Sequence, residues 1–368
     1  MVKRVLIAVP NDTLGGAEQY LKMLCSYFLS KGFEVDVIFL KRKESFGWVD
    51  FEFNSNVHLY FTNASSEKRG ILLFLYNLWR LRKVCYEYIF TSHVHITGLL
   101  GVLCSLNILK KRHFVGREST LIFDRFKGLK LFLFELYYHS GYPALDLVIC
   151  QTDLMADSIR INLPDLSKKI RVVVIPNPIS WEHLYGTYYE PIALPGKGPT
   201  IVAAGRLIPE KGFDILVRSV KNLVVVFPEF RLLIFGEGNE RIFLNKLILE
   251  LNLEENVCLM GFEKNVIPYF QSANLCVVSS LIEGFPNVLL QMMAKNVNIV
   301  STLCAGGIDL IQGLYTAEPG NVDDLENALM RCLESDNGSN RELFDKYLGD
   351  RRIENFVLNI DQNLKEGE

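Results

Sequence analysis

Several features that define other classes of protein are missing from this chain. Its eight cysteines are scattered singly without a Cys-x-x-Cys pair, so neither a zinc site nor a disulfide framework is expected. The apolar N-terminus has neither the length nor the small-residue cleavage site of a signal peptide. The uncharged stretch 96–109 is 14 residues long, short of the roughly 20 that a spanning helix needs. We therefore expect buried thiols in a reducing cytoplasm and no membrane-crossing segment.

Signatures of three ligand classes are absent as well. No G-x-G-x-x-G motif follows the first predicted strand, which argues against a dinucleotide-dependent dehydrogenase. No Asp-x-Asp element stands at a plausible strand end, so we expect no metal ion and no cofactor. The basic residues are not accompanied by any nucleic-acid-binding motif, which makes nucleic acid an improbable partner.

The composition is that of a globular protein with sizeable cores. The 368 residues are 49% hydrophobic and 22% charged, and this length suffices for two ordinary domains. The net charge of -3 hides an asymmetry, because residues 1–180 hold 23 Lys+Arg against 16 Asp+Glu (+7) and residues 181–368 hold 16 against 26 (-10). The two halves are therefore expected to face different partners.

Short β-rich runs alternate with helical stretches along the whole chain, and the pattern restarts after the Gly/Pro-rich segment ALPGKGPT. This alternation predicts an α/β protein with two Rossmann-like, doubly wound parallel-sheet domains that face a cleft. We assign residues 1–178 to the first domain, 179–198 to a linker and 199–345 to the second domain. Residues 346–368 are expected to form a C-terminal helix that packs back on the first domain.

Two motifs in the predicted loops suit a diphosphate. Gly15 and Gly16 follow the first strand and open a helix, whose free N–H groups attract anions, although a plain tight turn explains them equally well. In GRLIPEKG (205–212), Arg206 and Lys211 stand on one loop and can grip a diphosphate, Arg by its fork and Lys as a point charge. A solvated basic loop is the alternative.

Glycines and a carboxylate follow two later strands. The glycines of GEG (236–238) let the backbone approach a flat ligand such as a base or ribose, unless they only form a turn. In EGFPNVLLQ (283–291), Glu283 can accept hydrogen bonds from sugar hydroxyls, and Pro286 suits the first position of a helix whose free N–H groups suit phosphate. Gln291 can reach a ribose. Glu283 alone is also explained as a helix N-terminal acid, but beside the other two loops it favours a binding site.

The motifs GGAE, VIPNPI, GRLIPEKGFDILV, FGEG, EGFPNVLL and AGGIDLI occur in this order over nearly the whole chain. In this respect the sequence resembles the retaining glycosyltransferases of family 4, which have the GT-B fold. The resemblance implies transfer of a hexose or N-acetylhexosamine from a nucleotide-sugar donor, such as a UDP-sugar. It implies retention at the anomeric carbon and an acceptor that is a lipid-linked oligosaccharide or a surface polysaccharide, as in lipopolysaccharide or capsule synthesis.

The resemblance also implies individual roles. Arg206 and Lys211 would neutralise the leaving diphosphate, Glu283 would hold hydroxyls of the donor sugar, and His93, with His95 as the alternative, would lie near that sugar. Gly16 would lie beside the diphosphate. The predicted catalytic residues are thus Glu283, Arg206, Lys211 and His93. The predicted substrate-binding residues are Gly15, Gly16, Asn177, Gly205, Gly236, Glu237, Gly238, Gly284, Phe285, Asn287, Val288 and Gln291.

One position departs from the family pattern. The family usually has a second glutamate eight residues after the first, which accepts the ribose hydroxyls, and here that position is Gln291. A neutral amide oxygen accepts such bonds more weakly than a carboxylate, by about 1–2 kcal/mol. Donor binding is therefore expected to be looser, while the chemistry does not depend on this residue.

Two segments of the first half mix basic residues with aromatic and aliphatic ones. Residues 68–83 (KRGILLFLYNLWRLRK) contain five basic residues and no acid, and residues 125–138 (RFKGLKLFLFELYY) repeat the mixture. Such helices lie on anionic membrane surfaces, although either segment alone is equally explained as a core helix with solvated charges. With the positive first half and the family resemblance, they predict a protein held peripherally on the inner face of the cell membrane.

Two alternatives to a transferase stay open. A nucleotide-sugar isomerase or epimerase on the same fold would need acid/base carboxylates in the cleft beyond those found. A non-catalytic partner of another transferase is less favoured, since Arg206, Lys211 and Glu283 are all present.

Overall fold

The computed structural model describes residues 2–13, 15–43, 46–62 and 67–366, and the chain divides into two compact units. The first unit comprises Met1–Pro178 and Ile353–Glu368, and the second comprises Ile179–Arg352. Each unit contains one parallel sheet with helices connecting its strands. This confirms the predicted fold class of two Rossmann-like parallel-sheet domains.

The first unit is built on a seven-stranded sheet. Its strands are β1 (Arg4–Asn11), β2 (Glu34–Lys41), β3 (Val57–Tyr60), β4 (Cys85–Thr91), β5 (Lys110–Arg117), β6 (Leu147–Cys150) and β7 (Val172–Val174). Its first seven helices are α1 (Gly16–Ser30), α2 (Glu67–Arg80), α3 (Val94–Ser105), α4 (Ile122–Arg125), α5 (Gly128–Gly141), α6 (Asp153–Asn162) and α7 (Pro164–Ser167). Short 3₁₀ turns cover Phe46–Phe51, Leu81–Lys83 and Tyr142–Ala144.

The second unit is built on a six-stranded sheet. Its strands are β8 (Thr200–Ala204), β9 (Arg231–Phe235), β10 (Val257–Gly261), β11 (Leu275–Val278), β12 (Ile299–Thr302) and β13 (Tyr315–Ala317). Its helices are α8 (Phe213–Ser219), α9 (Leu223–Val226), α10 (Arg241–Glu250), α11 (Ile267–Ser272), α12 (Asn287–Lys295), α13 (Val322–Glu334) and α14 (Asn340–Gly349). A π turn at Glu182–Gly186 and a 3₁₀ turn at Pro209–Lys211 complete it.

The strand orders place one switch point in each sheet. The orders are β3-β2-β1-β4-β5-β6-β7 and β10-β9-β8-β11-β12-β13, with parallel pairing. The direction of winding therefore reverses between β1 and β4 in the first sheet and between β8 and β11 in the second. Open α/β sheets bind ligands outside the carboxyl ends of their strands at such points.

The central strands have buried, largely apolar middles because helices cover both faces of a parallel sheet. Residues 5–9 of β1 and residues 201–203 of β8 have no exposed surface. In the first unit α3 and α5 pack unusually closely, since a Cβ on Gly101 would lie 2.0 Å from the carbonyl oxygen of Gly141. Glycine is needed at this crossing so that the two helix backbones can touch.

The last helix, α15 (Ile353–Lys365), belongs to the first unit. Its apolar side chains Phe356, Val357 and Ile360 are buried in the same core cluster as the strands of the first sheet. Residues 179–198, which the sequence analysis assigns to a linker, lie within the second unit, and so do residues 346–352. In the described part of the chain, no helix is both long and apolar enough to span a membrane.

Candidate active site

Two loops meet at the switch point of the second sheet. One loop follows β8 and carries Arg206 and Lys211, and the other follows β11 and leads to Glu283. The hydroxyl of Ser279 donates to the carbonyl oxygen of Lys211 (2.9 Å), and the amide of Leu281 donates to the carbonyl oxygen of Glu210 (2.8 Å). The backbone of each loop is thus fixed by the other.

Lys211 and Glu283 form an ion pair across these loops, with the Nζ atom of Lys211 against Oε1 of Glu283. The hydroxyl of Ser280 also donates to Oε1 of Glu283 (2.9 Å), and the amide of Glu283 donates to the carbonyl oxygen of Cys304 (2.8 Å). Both charged side chains keep just under a fifth of their surface exposed. The pair is therefore held in place and is still accessible to a ligand.

Arg206 differs from Lys211 in having no partner for its side chain. It is exposed, and its guanidinium makes no hydrogen bond or ion pair with any residue that the structure describes. Only its carbonyl oxygen is used, by the amide of Ile208 (2.9 Å). The loop after β8 therefore carries one paired cation, Lys211, and one cation, Arg206, whose donors are not used by the described residues.

The glycines of this region are required by the packing of the protein itself. A Cβ on Gly236 (φ 139°) would lie 1.8 Å from the carbonyl oxygen of Gly205, and one on Gly238 would lie 2.1 Å from that of Leu207. The GEG turn therefore lies directly on the loop after β8. Glu237 between the two glycines is half exposed and pairs with Arg241 (2.9 Å).

Helix α12 begins one residue later than the sequence analysis predicts. Pro286 has an extended backbone (φ -75°, ψ 105°) and is the N-cap, so Asn287 is the first helical residue. Phe285 is buried and Gly284 has no side chain, whereas Asn287 and Val288 are half-buried at the helix start. Gln291 lies one turn further, is half-buried and makes no hydrogen bond with the described residues.

At the switch point of the first sheet, a buried carboxylate joins the glycine turn to the strand-end histidine. Gly15 is the N-cap of α1, and a Cβ there would lie 2.6 Å from Oε2 of Glu18. The other oxygen of Glu18 is 3.5 Å from Nε2 of His93, which is the N-cap of α3. Sequence reasoning missed Glu18, although its place in the first turn after Gly-Gly is typical of an acid that reaches back to a helix N-terminus.

His93 is held as a neutral ring. Burial, with the nearby His95 and Arg117, lowers the pKa of His93 to about 3. The rings of His93 and His95 are 6.0 Å apart, and burial also lowers the pKa of His95. At neutral pH His93 can therefore donate or accept a hydrogen bond but carries no charge.

A second buried polar group lies beside these residues and was not predicted. Arg117 at the end of β5 donates to Ser92 (3.1 Å) and to Oδ1 of Asn177, and its guanidinium stacks 4.6 Å from the centre of the Tyr20 ring. Asn177 in turn donates to Gln151 (2.9 Å). Both ends of the Asn177 side chain are thus used inside the first unit, where it ties the turn after β7 to neighbouring strand ends.

Polar groups lie at the switch points of two doubly wound sheets, so this is a two-domain α/β protein with candidate ligand-binding residues at its strand ends. The family described as "Glycosyl transferases group 1" matches residues 187–347, and the one described as "Glycosyltransferase Family 4" matches residues 14–183. Together they cover most of both units. The chain belongs to the family 4 glycosyltransferases with the GT-B fold, as its motifs predict.

Three similar proteins agree with this assignment. An uncharacterized glycosyltransferase of Methanocaldococcus jannaschii is 31% identical over 49% of this chain, but the match spans less than half (45%) of that protein. The Campylobacter jejuni N-acetylgalactosamine-N,N'-diacetylbacillosaminyl-diphospho-undecaprenol 4-alpha-N-acetylgalactosaminyltransferase is 29% identical over 78% of this chain and 77% of its own length. The structure of Anabaena HepE with UDP-glucose superposes with a TM-score of 0.78, covers 99% of both chains and is 16% identical, which shows a shared fold.

Proposed function

We propose that the protein transfers a hexose or N-acetylhexosamine from a nucleotide sugar, a UDP-sugar, to a lipid-linked oligosaccharide or surface polysaccharide. Transfer proceeds with retention at the anomeric carbon and without a metal ion. The observation that carries this proposal is the Lys211–Glu283 pair at the switch point of the second sheet, with Arg206 on the same loop as Lys211 and its guanidinium unpaired among the described residues. These groups match a donor that has an anionic diphosphate next to a hydroxyl-rich sugar.

On this proposal, donor binding replaces the contact between Lys211 and Glu283. Lys211 and Arg206 turn to the diphosphate, while Glu283, held by Ser280 and by its own amide, accepts hydrogen bonds from sugar hydroxyls. As the bond from the anomeric carbon to the diphosphate breaks and the bond to the acceptor oxygen forms, negative charge grows on the diphosphate. The two cations that have turned to the diphosphate stabilise that charge, which is the part a metal ion plays in other transferases.

The remaining predicted residues have smaller parts. The backbone of Gly284 and Phe285 leads into α12 and that of Asn287 and Val288 forms its first turn, where the helix dipole favours phosphate. Gln291 accepts from the ribose. The roles of Gly16 at the diphosphate and of His93 near the sugar rest on the family resemblance, and the neutral state of His93 suits a hydrogen bond to a hydroxyl.

The printed names of two similar proteins support the donor and the acceptor. The HepE structure contains UDP-glucose, and the Campylobacter jejuni protein is named for a substrate linked to diphospho-undecaprenol. We extend both to this chain as a proposal. An acceptor on a polyprenyl diphosphate would lie at the membrane surface, which connects the acceptor to a second feature of the first unit.

Helix α5 presents an exposed apolar stripe at positions i, i+3, i+4 and i+7. Its members are Leu129, Phe132, Leu133 and Leu136, and each has about half or more of its surface exposed. The opposite side of α5 is firmly attached, because Tyr138 (2.8 Å) and Tyr142 (2.5 Å) both donate to the buried carboxylate of Glu118. A rigid helix with an uncovered apolar face is suited to the surface of a bilayer.

Helix α2 adds a similar surface with positive charge. Leu72, Tyr76 and Trp79 are exposed along it, and the guanidinium of Arg82 lies 3.6 Å from the centre of the Trp79 ring. The side chains of residues 68 and 69, which are also basic, lie outside the described part of the chain. We propose that α2 and α5 hold the protein peripherally on anionic lipid at the inner face of the cell membrane.

The proposed function is tested by product analysis with a panel of labelled nucleotide sugars and lipid-linked glycan acceptors, in excess chelator. We expect transfer from a UDP-hexose or UDP-N-acetylhexosamine to an acceptor, with the α-configuration of the donor retained. A product epimerised without an acceptor would indicate an isomerase instead. Activity that disappears with chelator and returns with a divalent ion would contradict the metal-free mechanism.

A further inference from the structure

Arg351 stands at the point where the chain leaves the second unit. Its carbonyl oxygen accepts a hydrogen bond from the amide of Ile179 (2.8 Å), the residue with which the chain enters that unit, and Ile179 also forms a parallel bridge with Arg352. The two crossing segments are thus joined to each other, and the backbone of Arg351 is fixed.

The guanidinium of Arg351 lies against two aromatic rings. It is 4.2 Å from the centre of the Tyr347 ring and 5.1 Å from that of Phe285, and its Nη2 atom donates to the hydroxyl of Tyr347. Its Nη1 atom is buried and has no hydrogen-bond partner among the described residues. A buried guanidinium with an unused donor is costly, so the aromatic faces are the contacts that hold it there.

Phe285 connects this cation to the candidate active site. It follows Gly284 and precedes the N-cap Pro286, so it lies two residues from Glu283. The loop is held on one side by the hydrogen bond from Glu283 to Cys304, and on the other by the buried Phe285 ring. Gly284 between these two points has no side chain of its own to hold the backbone, so the position of Glu283 depends on both.

We propose that Arg351 is a positioning residue for the transfer reaction: it holds Phe285 in place, and through Phe285 it holds the backbone that carries Glu283. This proposal rests on the proposed function, since it concerns the placement of the carboxylate that binds the donor sugar. Arg351 itself touches no substrate. It also links the two chain crossings to the loop at the switch point of the second sheet.

The test compares Arg351→Met with Arg352→Met. Arg352 is a matched control because it is the next residue and its guanidinium also lies on a ring, 4.0 Å from the centre of Trp181, whereas the guanidinium over Phe285 is that of Arg351. We expect Arg351→Met to lower kcat roughly 10- to 100-fold, since small misplacements of a reacting group have effects of this size. Arg352→Met should stay within about twofold of wild type. Arg351→Lys keeps a cation over the rings and should retain more turnover than Arg351→Met.

A double-mutant cycle asks whether Arg351 acts through Phe285. If it does, Arg351→Met should cause little further loss of kcat in a Phe285→Leu background, because the contact that transmits the effect is already gone. Equal losses in the two backgrounds would overturn the proposal, as would a kcat for Arg351→Met equal to that of the control.

Amide hydrogen exchange gives a readout that does not need activity. Arg351→Met should speed exchange at residues 283–290 well beyond the effect of Arg352→Met, and unchanged exchange there would overturn the proposal. If wild-type protein transfers no sugar, the proposed function fails while the exchange result still decides the role of Arg351. Should Arg351→Met not fold, Arg351→Lys and Tyr347→Phe are measured in the same way, since Tyr347→Phe removes only the hydroxyl bonded to Nη2.

Discussion

At the scale of single residues, the loop that ends in Glu283 concentrates opposite charges in a small volume. Glu283 is tied by its amide to Cys304 and by its side chain to Ser280 and Lys211. The contacts with Cys304 and Ser280 hold the carboxylate before a donor arrives and remain when sugar hydroxyls replace Lys211. Preorganisation of this kind is what makes a single polar group effective in the transition state.

Glu283→Ala should therefore reduce turnover by roughly 100-fold or more, since loss of one strong polar contact in the transition state costs about 3 kcal/mol. Steady-state kinetics with the donor that the nucleotide-sugar panel selects measures this loss of turnover. Glu326→Ala, in α13, is a control that removes an acid whose hydrogen bonds among the described residues come from Asn222 (3.0 Å). A fully active Glu283→Ala enzyme would remove the centre of the proposed function.

Gln291→Glu should act on binding rather than on turnover. The amide of Gln291 makes no hydrogen bond with the described residues, so the replacement breaks no hydrogen bond with them. A carboxylate accepts ribose hydroxyls more strongly, so we expect the donor KM to fall about fivefold with kcat unchanged, because the gain is shared by ground and transition states. A lower melting temperature with a higher KM would show instead that the carboxylate is unpaired in a packed site.

At this scale the sequence predicts which residues lie at the strand ends better than it predicts what they touch. Gly236 and Gly238 were expected to leave room for a ligand, but their bare backbone is already needed by the carbonyl oxygens of Gly205 and Leu207. Asn177 was expected to bind substrate, and its side chain is bonded to Arg117 and Gln151. Such contacts join residues far apart in the chain, and no local pattern of residue types reveals them.

At the scale of elements, the ends of helices follow from the local sequence. The surfaces against which those helices pack do not. Pro286 signals the start of α12 correctly to within one residue, but its extended backbone makes it the cap rather than the first turn. The sequence of α5 shows aromatic, aliphatic and basic residues without showing which side is covered. In the structure Tyr138 and Tyr142 anchor one side to Glu118, and Leu129, Phe132 and their neighbours are left exposed.

The exposed apolar stripe of α5 is expected to contribute to membrane binding, and this can be tested by substitution. The double variant Phe132→Ser with Leu136→Ser should weaken sedimentation with anionic vesicles several-fold, since it removes apolar surface that is exposed in the protein and buried in the bilayer. Its melting temperature should change little. Ile242→Ser on α10, an equally exposed apolar residue of the second unit, is the control and should have no effect.

The dependence on salt separates the electrostatic contribution to vesicle binding from the contribution of the apolar stripe of α5. Wild-type protein should be released as salt is raised, because screening weakens the attraction between its basic residues and anionic lipid. Equal binding to neutral vesicles, or no binding to either kind, would count against the proposed membrane contact.

At the scale of the whole molecule, two units of the same architecture carry different charge and different candidate ligand groups. The strand–helix alternation was sufficient to predict both sheets, because most strands contain a short apolar run between recognisable turns. It could not show that Ile179 and Arg352 pair where the chain crosses between the units, since that pairing joins residues at opposite ends of the second unit. The assignment of the donor diphosphate to residues of the second unit can be tested directly.

UDP should stabilise the second unit, because Arg206 and Lys211 are the proposed diphosphate ligands. At a concentration 100 times its Kd, a ligand that binds only the folded state stabilises it by about 2.7 kcal/mol. Hydrogen exchange resolved by peptide reports both units in one sample, and we expect slower exchange at residues 205–212 and 283–291 and in the core strand β8, with β2 of the first unit unchanged.

Arg206→Ala should remove most of this protection at little cost to the fold, since the Arg206 guanidinium has no partner among the residues that the structure describes. Arg218→Ala is the matched control, because Arg218 is an exposed arginine in the last turn of α8 and is not part of either loop. Protection confined to the first unit, or equal protection of wild type and Arg206→Ala, would contradict the assignment of the donor diphosphate to the loop after β8. Loss of protection in Arg206→Ala alone would place the diphosphate at the free guanidinium, next to the Lys211–Glu283 pair that the donor has to open.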